Sequence, residues 1–462
     1  MKNFIIILCF FNVTIGFSQD NASVLSLEEY LGYVKKYHPI LKQAYLITSE
    51  SEINLLKSRG AFDPKLEVDY GRKKFKDTEY YDKLNAAFKI PTWYGIELKA
   101  NYENNNGIYL NPESTTPIDG LYSVGVSVSL ARGLLTNKRM ATLRQAKIYN
   151  EQAKAKQELI INNIVYNAIT TYFNWLKNYQ SKLVYDDYLL NAKTRLRNIK
   201  KGYELGDKPA IDTLEASINL KNRLLDIEKA KIGYLKSKLE LSNYLWLENN
   251  LPLELEDAII PDINTINTIN LVLNSSLLNV TDEVILNHPK ILELRYKKES
   301  LEIEKRLKAN NLLPQVDLQY NFLTADYKNI NTLNTGDYNT GLTVNFPLFL
   351  RKERAELKLA KLKLQDIDFD ISATEVNLKN KIESTIQEIE SYSVQYDILL
   401  DLVKDYEQLV KSEERKFSLG EGTLFLVNYR EVKLIENQLK KIETAYQLFS
   451  SKSDLMRIVT AL

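Results

Sequence analysis

The stretch Thr136–Lys201, TNKRMATLRQAKIYNEQAKAKQELIINNIVYNAITTYFNWLKNYQSKLVYDDYLLNAKTRLRNIKK, holds neither glycine nor proline and lies between Gly133 and Gly202. A run with no interior stop signal predicts a single helix. Its apolar positions Ile160, Ile164, Ala168, Tyr172, Trp175, Tyr179 and Leu183 recur three or four apart, so one stripe is buried while Lys, Glu, Asn and Gln cover the remainder. At about 1.5 Å rise per residue, the roughly 68 residues between the two glycines make a rod of ~100 Å. No compact single-core domain is that long. A second break-free stretch between Pro347 and Gly420 predicts another rod of about the same length.

Outward from the rods, the chain repeats itself. Tyr37-His38-Pro39 returns as Asn287-His288-Pro289, an offset of 250 residues that also relates Pro64 to Pro314, Val68 to Leu318 and Tyr70 to Tyr320. Past the strands the offset is 216, with Tyr122 on Tyr338, Gly125 on Gly341 and Val128 on Val344; at the distal turns it is 214, with Leu205-Gly206 on Leu419-Gly420. This is a tandem duplication with about thirty extra residues in the strand region of the first copy. The first copy covers 39–247, with strands in 64–130, a long helix at 134–205 and a return helix at 209–247. The second covers 282–462, with strands in 314–347, a long helix at 348–419 and a return helix at 423–462. Before them, the capping-box pattern Ser26-Leu27-Glu28-Glu29 opens a short helix within 19–38, and a linker at 248–281 carries Pro252 and Pro261. In each copy the two short helices laid end to end nearly match the rod in length, which describes a cylinder wall.

The strand regions alternate. Leu66, Val68 and Tyr70 interleave with Lys65, Glu67 and Asp69, and Tyr122, Val124, Val126, Val128 and Leu130 with small polar residues. Val316, Leu318, Tyr320 and Phe322, then Tyr338, Thr340, Leu342, Val344 and Phe346, do the same in the second copy. The extra residues alternate in Leu84, Ala86, Phe88, Ile90 and in Ile96, Leu98, Ala100, Tyr102 around the turn Pro91–Gly95, predicting an added hairpin entered by a loop at Lys76–Asp82. A soluble sandwich produces such alternation too, but strands of eight to ten residues with tyrosines at their ends fit a transmembrane barrel better.

The first eighteen residues read as a signal peptide: Lys2, an apolar run from Phe4 to Phe17, then Gly16 and Ser18 before Gln19, with cleavage after Ser18. A membrane anchor would need a run of ~20 residues. An acylated Cys9 would sit inside the apolar run, after Leu8 where a small residue is expected. Cys9 leaves with the signal, so disulfides and thiolate metal sites are excluded. The formal charge of +1 becomes zero without Lys2, which argues against a nucleic-acid partner. No later segment is apolar enough for a transmembrane helix, so strands must supply any membrane insertion, and 29 tyrosines suit a membrane interface.

A signal peptide, two repeats, paired strands between helices near a hundred ångströms long and a glycine at each distal turn together resemble the TolC-like outer-membrane efflux protein family, over essentially the whole mature chain. The resemblance implies an α+β membrane fold, the tandem-repeat protomer of a homotrimer whose strands share one outer-membrane β-barrel and whose helices continue as a long periplasmic tunnel. It implies an exit duct for a tripartite efflux or type I secretion system, passive itself, with a periplasmic adaptor, an inner-membrane pump and outer-membrane lipid as partners. Four or six strands cannot close a barrel, and open edges are not tolerated in lipid, so copies must share one. Family members commonly supply two strands per repeat; the added hairpin either enlarges twelve strands to eighteen or packs outside the barrel. The linker would join a belt around mid-tunnel, and with Leu462 directly after the last helix no C-terminal addition to it is expected. The competing class is a structural or adhesive surface protein, a helical stalk on a small barrel with no export role.

Mapped by the turn glycines, the family's acidic pattern is matched in the first copy by Asp212 and Glu215, three apart on one helical face. In the second copy its ring positions fall on Leu426 and Tyr429, and its linking arginine on Gly422. The constriction is therefore expected to be apolar, built by Phe425, Leu426 and Tyr429, with Asp212 free for another partner; alternatively Asp212 and Glu215 are simply first-turn carboxylates at a helix N-terminus. Gly206 and Gly420 accept the positive φ of a tight turn. Resemblance places the adaptor contact at Leu205, Gly206, Leu419 and Gly420, whose plainer role is to shape the turn. His38 and His288 each precede a proline at a helix start, where capping outweighs ligation. Two histidines 250 residues apart, no mature cysteine and no phosphate loop give no catalytic, cofactor or metal constellation.

Overall fold

Alternating side chains and break-free runs give strands and rods close to those expected. The computed structural model describes residues 23–265 and 282–460; the expected signal peptide and linker residues 266–281 lie outside the described residues. In chain order come β1 (Ser23–Leu25), α1 (Leu27–Tyr37), α2 (Pro39–Arg59), β2 (Lys65–Phe75), β3 (Thr78–Pro91), β4 (Ile96–Asn106) and β5 (Leu121–Ser129). Then follow α3 (Lys138–Glu204), α4 (Ala210–Ser242), β6 (Ile259–Pro261), α5 (Asp282–Leu286) and α6 (Pro289–Asn310). The chain continues through β7 (Gln315–Thr324), β8 (Tyr338–Asn345), α7 (Arg351–Ser418) and α8 (Leu424–Ile458). It divides into two compact units, one of residues 23–38, 165–265 and 387–453, the other of 39–164, 282–386 and 454–460. Each unit draws on both sequence copies.

The strand unit holds one six-stranded antiparallel sheet in the order β2-β3-β4-β5-β7-β8. The added hairpin β3–β4 is thus inside the sheet and not packed outside it. Register places apolar residues directly opposite one another: Leu66, Phe88, Ala100, Val124, Phe322 and Tyr338 form one row across all six strands. Ile90, Leu98, Val126 and Tyr320 form the next. Because side chains alternate faces, the other face is polar, with Lys89, Lys99, Gly125, Asn321 and Asn339 in one row. Gly125 is required there, since a Cβ would lie 2.2 Å from the Tyr320 carbonyl oxygen. The expected loop at Lys76–Asp82 is shorter: Lys76 and Asp77 alone turn the chain, both with positive φ, the conformation that matches the twist of flanking strands.

Two helix starts are later than expected, for identifiable reasons. α3 begins at Lys138 and not at 134, because Gly133 takes φ +98° and the Asn137 side chain caps the helix, its Oδ1 accepting from the Met140 N–H at 2.8 Å. α7 begins at Arg351, after Leu350 with φ +47°. In this unit Ser51 of α2 donates to Asn150 of α3 at 2.6 Å, and ion pairs Lys298–Asp368 and Lys308–Glu356 join α6 to α7. Such half-exposed pairs contribute at most about 1 kcal/mol each. His288 caps α6, its Nδ1 accepting from the Lys290 N–H at 3.0 Å.

In the helical unit the core forms where the α3 stripe meets β1 and β6, which pair in parallel. Tyr172 and Trp175 are fully buried with Phe173, Tyr30 and Phe449 around them. The Tyr172 hydroxyl donates to the Leu25 carbonyl at 2.8 Å and accepts from the Asp262 N–H at 3.2 Å, which ties the rod to both short strands. Burial pushes its pKa up to about 12. Ser26 caps α1 as the capping-box pattern requires, accepting from the Glu29 N–H, and His38 stacks on Tyr244.

Candidate functional site

The two distal turns are the same structure built twice. Gly206 donates to the Tyr203 carbonyl and Asp207 to that of Gly202; Gly420 donates to Phe417 and Glu421 to Lys416. This is a Schellman closure, with glycine at φ +81° and +80° in the left-handed region that other residues enter at a cost. Leu205 and Leu419, the residues just before, project into solvent, and a Cβ at either glycine would meet nothing. The next helices open differently: Pro209 precedes α4 without a side-chain cap, whereas the Thr423 hydroxyl accepts from the Leu426 N–H.

The first turns of α4 and α8 each have a buried and an exposed side. On α8, Leu424 and Val427 are buried, and Leu424 packs with Ile199 and Ala216. Phe425, Leu426 and Tyr429 are exposed, Phe425 at 63 %, and the Phe425 and Tyr429 rings stack with centroids 6.4 Å apart. On α4 the exposed stripe is Ile211, Leu214 and Ile218, apolar residues that the sequence reading passed over. Between the two stripes runs a groove of about 280 Å³ lined by Ile218, Phe425, Tyr429 and Val432, with Glu215, Asn219 and Arg223 among its polar residues. The two expected carboxylates part company here. Glu215 accepts from the Asn428 amide at 2.9 Å, while Asp212 has no side-chain hydrogen bond or ion pair among the described residues.

Behind this surface lies a charged layer that the sequence reading missed. Arg195 of α3 reaches Glu431 of α8 and Glu414 of α7, each at 2.8 Å. The Glu431 side chain is 2 % exposed, that of Glu414 49 %. Arg223 of α4, itself buried, stands 4.0 Å from Glu431, and its Nε and Nη2 lack hydrogen-bond partners. Asn428 accepts from Asn219 at 2.6 Å and closes the layer. Burial opposes the charge on Arg195, but the hydrogen bond and charge of Glu431, then Glu414, override it and hold its pKa above the ordinary value. Tyr188 is pushed up to about 12 by burial, then by the negative charges of Glu431 and Glu407. One signal was available: Glu431 interrupts the stripe Leu424, Val427, Leu434, Ile435 at a position where helical spacing demands an apolar residue. Among the described residues no cluster of His, Cys, Asp and Glu could hold a metal, and no helix is long and apolar enough to cross a membrane.

No protein-family model and no curated protein matches the chain in sequence. Solved structures do match in fold. An outer membrane channel of Campylobacter jejuni, CmeC, superposes with a TM-score of 0.67 at 15 % identity, covering 94 % of this chain and 85 % of that one. The outer membrane protein VceC of Vibrio cholerae gives 0.66 at 13 % identity, covering 94 % and 96 %. The open state of the Neisseria gonorrhoeae outer membrane channel MtrE gives 0.56 at 12 %, covering 94 % and 88 %. The chain has the fold of the TolC-like outer-membrane channels.

Proposed function

We propose that this protein is one subunit of a homotrimeric outer-membrane channel, the passive exit duct of a tripartite efflux or type I secretion system, with its rods in the periplasm. The observation that carries the reading is the sheet. Its two edge strands, β2 and β8, are exposed along nearly their whole length and present Leu66, Val68, Leu342 and Val344 on an apolar face. Unpaired edges are untenable in lipid, so neighbouring copies pair β8 with β2 and close the sheet. Three sheets of six strands make a barrel of eighteen, roughly 36 Å between opposing backbones at ~4.8 Å strand spacing and ~40° tilt. Twelve strands would give roughly 24 Å.

The turns at Gly206 and Gly420, with Leu205 and Leu419, meet a periplasmic adaptor that links the duct to an inner-membrane pump. The pump supplies energy and chooses cargo. Phe425, Leu426 and Tyr429 line the narrowest part, backed by Ile211, Leu214 and Ile218, while Asp212 faces a partner. The decisive experiment joins the protein mass of the detergent-solubilised chain to membrane fractionation and a deletion strain. Three copies in the outer membrane, with drug or secreted cargo retained on deletion, support the duct; a monomer refutes it, and a trimer whose deletion leaves export intact identifies a stalk.

A further inference from the structure

We propose that the junction between strands and rods is a binding site for the phosphate headgroup of an anionic phospholipid in the leaflet that faces the helices, an inference that rests on the outer-membrane reading. The site is a cavity of about 460 Å³ in the strand unit, formed where β5 passes into α3, α6 into β7 and β8 into α7. Its lining carries four cations, Arg132, Lys138, Lys308 and Lys352, against two carboxylates, Glu353 and Glu356. Lys308 is engaged with Glu356 at 2.9 Å. Glu356 is held below the usual carboxylate range first by that hydrogen bond, with smaller contributions from the charges of Lys352 and Arg132. Among the described residues, Arg132, Lys138 and Lys352 have no side-chain ion pair or hydrogen bond. A surplus of positive charge converges on a cavity with room for roughly fifteen water-sized groups, enough for a phosphodiester and its glycerol.

The walls of this cavity are held in place. The Arg132 N–H donates to the Pro314 carbonyl at 3.1 Å, and the Asn310 amide donates to that of Thr136 at 2.7 Å. Chain segments beside the cations carry the apolar half of the match. Leu135 lies between Arg132 and Lys138, and Leu348-Phe349 come just before Arg351-Lys352. All three apolar residues are exposed, Leu348 at 85 %, and the Arg351 guanidinium lies over the Phe349 ring at 5.2 Å. Exposed leucine and phenylalanine followed within a few residues by arginine and lysine fit acyl chains below a layer of phosphates. A free phosphate ion would need the cations but not the apolar collar, so the commitment is to lipid.

The test uses the full-length trimer in detergent, with native mass spectrometry to count adducts of phosphatidylglycerol, phosphatidylcholine or inorganic phosphate. The variant R132Q/K138Q/K352Q removes the unpaired cations, and K193Q/K200Q/K411Q removes three exposed charges elsewhere as a control. Phosphatidylglycerol is expected to exceed phosphatidylcholine on the native protein, to fall at least about tenfold on the first variant and to hold on the control. Equal adducts on native protein and first variant, no preference over phosphatidylcholine, or saturation by inorganic phosphate in place of lipid each overturn the site. Circular dichroism and trimer mass establish that the variant is folded. Should the native chain fractionate outside the outer membrane, the functional reading fails and this inference with it; a trimer in the outer membrane that shows no such preference overturns the site alone.

Discussion

Arg195 touches two glutamates at one distance, and the structure predicts that they matter very differently. Glu431 and Glu414 each approach it to 2.8 Å, so a count of contacts ranks them equal. Burial separates them. Replacing Glu431 by Gln leaves the Arg195 and Arg223 guanidiniums, 14 % and 6 % exposed as side chains, without the one carboxylate buried with them. Breaking a buried pair in this way costs about 3–5 kcal/mol, because a charge is stranded away from water. Glu414 is half in solvent, which screens its attraction; its loss costs about 0.2–1 kcal/mol.

Amide hydrogen exchange across the start of α8, Leu424–Ile435, reads local opening directly. At 1.4 kcal/mol per tenfold, Glu431→Gln should speed exchange there by roughly 150-fold or more, and Glu414→Gln by about fivefold at most. The double variant Arg195→Met, Glu431→Leu should recover part of the protection, since it removes both charges but leaves Arg223 with only the partly exposed Asp226, 3.4 Å away. Equal acceleration by the two single variants would refute the reasoning, because it would mean that water reaches Glu431 as freely as Glu414.

Other expectations are simpler to state. If Leu426 and Tyr429 line the constriction, replacing both by alanine raises single-channel conductance in planar bilayers; unchanged conductance removes them from that role. Deleting the β3–β4 hairpin leaves β2 antiparallel to β5 and narrows the barrel, so conductance through a barrel-limited pore should fall to about half, and a pore of unchanged size would place the hairpin outside the conducting wall. Gly420→Ala forces alanine to φ +80° and should lower stability by about 1–2 kcal/mol, with Gly420→Asn milder; thermal unfolding decides, and an unchanged midpoint rules out the strain. Burial holds the His288 pKa below 6.5, so only the unfolded chain binds a proton in the interval beneath that value. The contribution of the neutral ring is full above pH ~6.5 and is lost as pH falls through the folded pKa, taking the α6 cap with it. His288→Asn keeps a capping side chain that does not titrate, so its melting temperature should drop less between pH 7.5 and 5.5; His38, shifted the same way, keeps part of the slope. Equal drops would assign the slope to other groups.

Much of this fold was legible because it rests on local rules. The absence of breakers in Thr136–Lys201 marks the rod, and period-two alternation marks each strand together with its apolar face. What failed was decided by single caps and turns: Asn137 delays α3, and two residues with positive φ suffice where a longer loop was expected. Which strands neighbour one another was beyond reach, since β5 pairs with β7 across nearly two hundred residues and alternation is silent about partners. At the site, the tandem offset located both glycine turns and the exposed residues after Gly420. It concealed Arg195, whose partners Glu414 and Glu431 lie in the other copy, because a repeat alignment compares positions and never asks which of them meet.

The sheet places a demand on assembly that the helices do not. A soluble helical hairpin can expose Ile211, Leu214 and Phe425 at modest cost, since scattered apolar side chains on a surface are ordinary. The sheet pairs a continuous apolar face with two open edges, a combination that in water invites pairing with any available strand. In lipid it strands a ladder of N–H and C=O groups at several kcal/mol each. Neither solvent suits the single copy. On the channel reading, insertion and closure therefore form one step: β8 of each copy must find β2 of the next as the apolar face meets the membrane. The charged layer of Arg195, Glu414 and Glu431 forms within one chain, so the helical unit can fold before that step and needs no neighbouring copy to do so.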